Sequence, residues 1–316
     1  MSKYEKATTP TMYFIGVTTG KSSIMKVFPD WMNAMGKNAC MKGIDLPIHA
    51  ETDVYREVVR FIKEDPLSLG ALVTTHKIDI YNAAYDLFDY LDPYAQMFHE
   101  LSSISKNDGK LCGHAKDPLS CGQALEEFIP LNYWSNNSEA EVMIMGAGGS
   151  AISMCSYFMR KEFVGNYPKK IIITNRSQSR LDKIASICGK LNPGNIVCEF
   201  HLTPEATQND QVLSRLASGS LVVNATGLGK DRPGSPLTDS ADFPVNGIAW
   251  EINYRGDLLF LHQAESQKEE KKLIIEDGWM YFVYGWTQVI AEVFHYPIEG
   301  ATLLEMNRIA AKRNNR

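Results

Sequence analysis

Residues 146–151 read Gly-Ala-Gly-Gly-Ser-Ala, directly after the apolar run Val142–Met145 and directly before a helical pattern. A strand that passes through glycines into a helix turns backbone N–H groups and a helix N-terminus toward an anion. Further on, the apolar run Ile171–Thr174 ends in Asn175-Arg176-Ser177, and Arg180 follows one helical turn later. In a dinucleotide-binding fold this second strand end meets the adenosine ribose, where an acidic residue accepts from a free 2′-hydroxyl. Arginine there suits a 2′-phosphate instead. Gly146, Ala147, Gly148, Gly149, Ser150, Ala151, Asn175, Arg176, Ser177 and Arg180 are therefore candidates to hold NADP(H). Asn224-Ala225-Thr226 follows another apolar run, Leu221–Val223, and faces the same ligand if the sheet is doubly wound. Packing or surface turns are the plain alternative for these segments.

The elements that must position these residues alternate along the second half of the chain. Strands are expected at 142–145, 170–174, 196–201, 220–224 and 247–250, with helices at 150–163, 179–190 and 209–217. That rhythm predicts a parallel sheet with helices on both faces. In the first half, Tyr13–Val17, Gly43–Ile48 and Gly70–Thr74 read as strands. Lys26–Gly36 has helical spacing interrupted by Pro29, and Val54, Val58, Phe61 and Ile62 share one face of a helix over Val54–Lys63. Ile78–Leu91 reads as a helix. Glu100–Ser105 and Lys110–Gly113 flank Asn107-Asp108-Gly109, a hairpin signal. Helices follow at Leu119–Phe128 and Tyr281–Phe294, where Trp279, Tyr281 and Trp286 read as core packing. The charge run Lys268–Lys272 reads as a solvated face, and the basic tail Arg308–Arg316 as frayed.

Composition narrows the classes. The chain has 316 residues, room for two domains, and 44% apolar residues, enough for a full core. A net charge of −5 argues against general nucleic-acid affinity. Spans of the ~20 apolar residues that cross a bilayer are missing, and the opening Met-Ser-Lys-Tyr-Glu-Lys has no apolar signal core. The six cysteines are scattered without a Cys-x-x-Cys pair, which predicts free thiols in a reducing cytoplasm and no metal site.

Taken together, these segments resemble the shikimate dehydrogenase family. The resemblance runs through most of the chain and is stronger in the second half. The family's glycine loop matches 146–151, its Asn-Arg-Thr/Ser motif Asn175-Arg176-Ser177, and its Asn-Ala-Thr turn Asn224-Ala225-Thr226. Its Asp-x-x-Tyr segment resembles Glu251-Ile252-Asn253-Tyr254, and its C-terminal glutamine resembles Gln288. The family's catalytic lysine closes Asn-Val-Thr-x-Pro-x-Lys, which Gly70–Lys77 resembles one residue short, so the resemblance implies Lys77. Its partner aspartate ends Asn-Thr-Asp, and Ala115-Lys116-Asp117 implies Asp117.

Departures gather on the substrate side. Of the family's two carboxylate-holding serines, Ser22 matches the first, while Ile24 falls on the second and Met25 on the following proline. Pocket asparagines are replaced by Ser102, by Ala115, and by Ala71 or Leu72. A pocket built to hydrogen-bond one hydroxyl rejects analogues strongly, so the rewritten shell implies a changed substrate preference. Ser22, Thr74, Ser102, Tyr254 and Gln288 remain as candidate substrate contacts. His76 reads as a structural histidine, and His114 has no stronger claim.

Oxidising a secondary alcohol requires hydride loss from carbon, taken by the coenzyme, and proton loss from oxygen, taken by a side chain. Lys77 suits the second task if burial lowers its pKa from about 10.4, with Asp117 orienting the ammonium. The expected architecture is α/β: a substrate-binding domain over 1–118, a Rossmann-type doubly wound NADP domain over 119–274, and C-terminal helices over 275–316 returning to the first domain. Substrate is expected in the cleft between domains. The resemblance implies an NADP-dependent dehydrogenase of the shikimate pathway type, acting on shikimate or a related quinate, aminoshikimate or cyclitol. The alternatives are a non-catalytic NADP-sensing or scaffold paralogue and a dehydrogenase of C–N bonds. The expected partner is a small-molecule substrate, without nucleic acid or membrane; a homodimer stays open.

Overall fold

The computed structural model describes residues 4–160, 165–192, 196–230 and 232–316. The chain divides into two compact units: Met1–Lys116 with Gly285–Arg316, and Asp117–Tyr284. Among the described residues, no helix is long and apolar enough to cross a membrane. All six cysteines are free; four are buried, and Cys40 and Cys198 are half-buried.

The first unit is built on one sheet of six strands: β1 (Thr11–Gly16), β2 (Cys40–Asp45), β3 (Ser68–Val73), β4 (Tyr90–Leu91), β5 (Ser103–Asn107) and β6 (Lys110–His114), in the order β2-β1-β3-β5-β6-β4. β1 is buried along its whole length between parallel β2 and β3, as its near-continuous apolar sequence requires. β5 and β6 form the expected hairpin. Its turn residues Asp108 and Gly109 have φ of +48° and +77°, the left-handed pair that a two-residue hairpin needs.

Three expectations for this unit are corrected. Pro29 does not interrupt its helix, which runs Ile24–Ala34 and fully buries Ile24, Val27, Phe28 and Trp31. The Trp31 indole also donates to the Met306 carbonyl at 2.7 Å, so burial and an outside bond outweigh the one lost helical bond. The stretch 78–91 is not one helix. It forms a helix over Lys77–Ala84, a 3₁₀ turn and then β4, because the Asp89 amide and carboxylate bind the Leu111 backbone and β4 pairs with β6. The basic tail is helical over Gly300–Arg313, with Met306 and Ala310 fully buried and Arg313 paired with Asp30 at 2.5 Å. The helix Thr52–Glu64 exists as expected, but its buried face centres on Tyr55, Val58, Val59 and Ile62, leaving Val54 half-buried.

The second unit holds an all-parallel sheet of β7 (Val142–Met145), β8 (Lys170–Asn175), β9 (Val197–Leu202), β10 (Leu221–Asn224), β11 (Ile248–Glu251) and β12 (Ile274–Glu276). The order β9-β8-β7-β10-β11-β12 reverses direction between β7 and β10. This is the order of a doubly wound dinucleotide-type sheet, in which ligands bind beyond the strand ends at that reversal. β7, β10 and β11 are fully buried, which explains their unbroken apolar runs. The helix expected at 150–163 is observed as Gly149–Phe158, and residues 161–163 of the expectation lie outside the described residues. The run at 268–272 forms a four-residue helix, Lys268–Lys271, with nothing buried.

Candidate functional site

The glycine loop leaves β7 at the reversal. Gly146 has φ of +120°, donates its amide to the Thr174 carbonyl at 2.8 Å, and sits against the turn after β10. A Cβ on Gly146 would lie 2.4 Å from the Ala225 carbonyl oxygen, so only glycine fits there. Gly148 caps the helix Gly149–Phe158 without a side-chain bond, and a Cβ there would meet nothing within 4 Å. Close packing on one side and open space on the other leave the first helical turn approachable. Ala147 and Ala151 are buried, Gly149 is exposed, and Ser150 accepts from the Tyr281 hydroxyl at 3.3 Å.

At the end of β8, Asn175 Oδ1 accepts from the Ser177 amide at 2.9 Å, closing a local turn. That turn leaves the Arg176 and Arg180 side chains exposed beside the strand ends. The two cations therefore stand on the β8 side of the sheet's centre, with β7 and its glycine loop as the next strand.

Beyond β10, Asn224 is completely buried and shapes its own turn: Oδ1 accepts from Thr226 N at 3.1 Å and Thr226 Oγ1 at 2.7 Å. Its Nδ2 donates to Glu251 Oε2 at 2.6 Å. Glu251, also fully buried, receives Asn253 N at 2.9 Å and Asn253 Nδ2 at 2.5 Å on Oε1. Burial pushes this carboxyl up to about 7, against the pull of its three donors and with a small push from Asp277. Sequence reasoning quoted Glu251 as a motif position but missed this hub. A carboxylate at a strand end carries no local sign of the partners that the fold will bring to it.

Asp117 opens the helix Asp117–Phe128 with Pro118 behind it, a residue suited to a first helical turn, and is half-buried. Tyr254, also half-buried, packs its ring 4.4 Å from Phe282 and 5.9 Å from Trp279.

In the first unit, Lys77 is half-buried and starts the helix Lys77–Ala84, its amide donating to the Thr74 carbonyl at 3.2 Å. Its neighbour His76 is fully buried and bonded through both ring nitrogens, to Tyr55 Oη at 3.0 Å and the Gly16 carbonyl at 3.2 Å. A carbonyl only accepts, so Nε2 carries the proton. Thr74 is half-buried and its hydroxyl donates to the Ile15 carbonyl at 3.2 Å. Ser102 is 2% exposed; its hydroxyl accepts from Lys116 N at 2.7 Å and reaches the His114 carbonyl at 3.4 Å. Ser22 and Gln288 are half-buried, Ser22 at the end of the 3₁₀ turn Thr19–Lys21 and Gln288 on the helix Trp279–Phe294. Trp286 packs edge-on to Phe14 at 5.0 Å, as core.

A charged network lies behind Ser102. Glu292 pairs with Lys116 and with His114 Nε2 at 3.2 Å, and His114 Nδ1 faces Asp92 at 3.7 Å. Burial pushes Glu292 upward, but Lys116 and His114 hold it below the ordinary range. Burial likewise pushes His114 below its ordinary value, although Glu292 and Asp92 oppose it. Among the described residues, no group of three or more His, Cys, Asp or Glu is arranged to hold a metal ion.

The fold defines the second unit as a doubly wound dinucleotide-type domain, and the whole chain has solved counterparts. It superposes on shikimate 5-dehydrogenase from Listeria monocytogenes, solved with shikimate and NAD, with a TM-score of 0.73, 17% identity, and coverage of 97% of this chain and 98% of that one. It superposes on quinate dehydrogenase from Corynebacterium glutamicum, solved with NAD, with a TM-score of 0.72, 16% identity, and coverage of 96% and 99%. In sequence, it is 29% identical over 183 residues to shikimate dehydrogenase (NADP(+)) of Streptococcus thermophilus. The match spans 58% of this chain and 59% of that protein's length. No family model matches the chain. The resemblance read from the motifs is thus met by similarity in sequence to shikimate dehydrogenases and in fold to shikimate and quinate dehydrogenases.

Proposed function

We propose that this chain is an NADP-dependent oxidoreductase that interconverts a secondary alcohol and a ketone on a shikimate-like hydroxylated ring. The observation that carries the reading is the reversal between β7 and β10. There Gly146 packs against Ala225, Gly148 opens onto space, and an uncapped helix begins. These features fit a pyrophosphate. Arg176 and Arg180 are exposed beside the end of β8, where a 2′-phosphate would lie, and no acidic side chain follows Asn175 to accept from a free 2′-hydroxyl. The reading assigns coenzyme binding to 119–274 and substrate binding to 1–118 with the helices of 275–316.

NADP⁺, when bound, supplies the hydride acceptor. The proton is the protein's task. Lys77 is assigned as general base for alcohol oxidation and general acid for ketone reduction, and its ammonium also polarises the carbonyl in the reductive direction. Asp117 orients that ammonium. Ser22, Thr74, Tyr254 and Gln288 are assigned to the ring substituents. Ser102, whose hydroxyl is engaged at His114 and Lys116, supports this shell from behind. The loss of the second serine and of the pocket asparagines favours a ring related to shikimate, such as quinate, an aminoshikimate or a cyclitol.

The test is NADP⁺ reduction by the purified chain against shikimate, quinate, aminoshikimate and several inositols, with NAD⁺ in parallel. Turnover on one of these rings with NADP⁺ supports the reading. Tight NADPH binding with no turnover on any of them would leave the non-catalytic paralogue or the dehydrogenase of C–N bonds in its place.

A further inference from the structure

A buried carboxyl at the end of β11 takes no part in the chemistry above. Taking such a group out of water is unfavourable unless its oxygens are satisfied, and those of Glu251 are. Oε1 receives Asn253 N and Asn253 Nδ2 at 2.9 and 2.5 Å, and Oε2 receives Asn224 Nδ2 at 2.6 Å.

These bonds orient two amides. Asn224 then has its Oδ1 turned to the amide and hydroxyl of Thr226, at 3.1 and 2.7 Å, and its Nδ2 within 3.3 Å of the Leu228 carbonyl. The Thr226 hydroxyl accepts from Leu228 N at 3.1 Å, and Asn253 Nδ2 approaches the Leu228 carbonyl at 3.5 Å. Three of these five bonds involve Asn224. Rotating its amide by half a turn would break both Thr226 bonds; two acceptors oppose this rotation, Glu251 at 2.6 Å and the longer Leu228 carbonyl at 3.3 Å.

A doubly wound sheet is two mononucleotide-binding halves. Here β7, β8 and β9 carry the glycine loop and Arg176, while β10 and β11 carry the Asn224 turn and Glu251. The donors to Glu251 all lie on the second half. The turn's attachment to the first half, Ala225 N to the Met145 carbonyl at 2.8 Å, does not involve Glu251.

We propose that Glu251 is a positioning residue for the nicotinamide half of the coenzyme, clamping Asn224 and Asn253 so that the 224–228 turn is preformed to receive it. The inference rests on the coenzyme reading above. Preformed turns raise affinity because the ligand need not order them.

The test uses the full chain at pH 8 with two ligands: NADPH, and 2′-phospho-ADP-ribose, which lacks the nicotinamide. In Glu251→Gln one oxygen becomes an NH₂ that faces the amide donors. The expected result is a rise in NADPH Kd of about tenfold, equivalent to about 1.4 kcal/mol, with 2′-phospho-ADP-ribose affinity changed less than about twofold. Glu251→Asp keeps the carboxylate and should fall between wild type and Gln; it carries the same comparison if the Gln variant does not fold. Equal losses for both ligands, or unchanged NADPH affinity in a folded variant, would overturn the role. A wild-type chain that binds neither ligand refutes the coenzyme reading itself and this inference with it.

Discussion

Gly146 and Ala225, which follow neighbouring parallel strands, approach so closely that a Cβ on the first would stand 2.4 Å from the carbonyl oxygen of the second. This contact brings the ends of β7 and β10 together at the reversal of strand order. Gly146→Ala would meet both that clash and a φ of +120°. A loss of about 2–3 kcal/mol in stability is expected from strain of this kind, together with weakened NADPH binding. Thermal melts with and without NADPH check it; an unchanged melting point and affinity would mean that the turn moves aside freely.

Arg176 bears on coenzyme choice. Charge-assisted bonds to phosphate contribute about 1.5–3 kcal/mol, so Arg176→Asp should lower kcat/KM for NADP⁺ by about ten- to a hundredfold. It should leave NAD⁺ equal or improved. Retained preference for NADP⁺ in this variant refutes the phosphate assignment.

Lys77→Ala tests the proton transfer. General acid–base catalysis contributes roughly 10²–10⁴-fold. Turnover should fall by about that factor while NADPH affinity, measured by titration, holds. Unchanged turnover removes Lys77 from the mechanism.

Glu251 also makes stability depend on pH. Its carboxyl titrates near 7 in the fold against an ordinary value of 4.5. Below pH 4.5 it is neutral in both folded and unfolded chains. Between 4.5 and 7 the unfolded chain releases the proton and the folded chain keeps it, so stability falls as pH rises, then levels above 7. The full effect is about 3 kcal/mol. Urea unfolding of wild type and Glu251→Gln at several pH values should show wild type losing ground to the variant across that window. A constant difference would contradict the raised value.

Much of the second unit was legible along the chain. Val142–Met145, the glycines and the following helix declare themselves because apolar runs and glycine turns are local signals. So does the Asn107-Asp108-Gly109 hairpin, whose turn residues tolerate positive φ. β4 and β12 did not, because strands of two and three residues have no periodicity and exist by pairing with β6 and β11. The C-terminal helix was misread for a related reason. Its basic residues look solvated, while Met306 and Ala310 are buried and the Met306 carbonyl takes the Trp31 indole from 275 residues away.

The chain's own order of residues determined where strands turn into helices, which turns need glycine, and that arginine rather than an acid follows Asn175. Those are properties of a few adjacent residues, governed by sterics and side-chain period. Tertiary structure alone decided that β7 lies beside β10 and that Asn224 meets a carboxyl 27 residues away. Such meetings depend on which distant segments bury their surface together, a choice made by the whole sheet and not by any stretch of sequence.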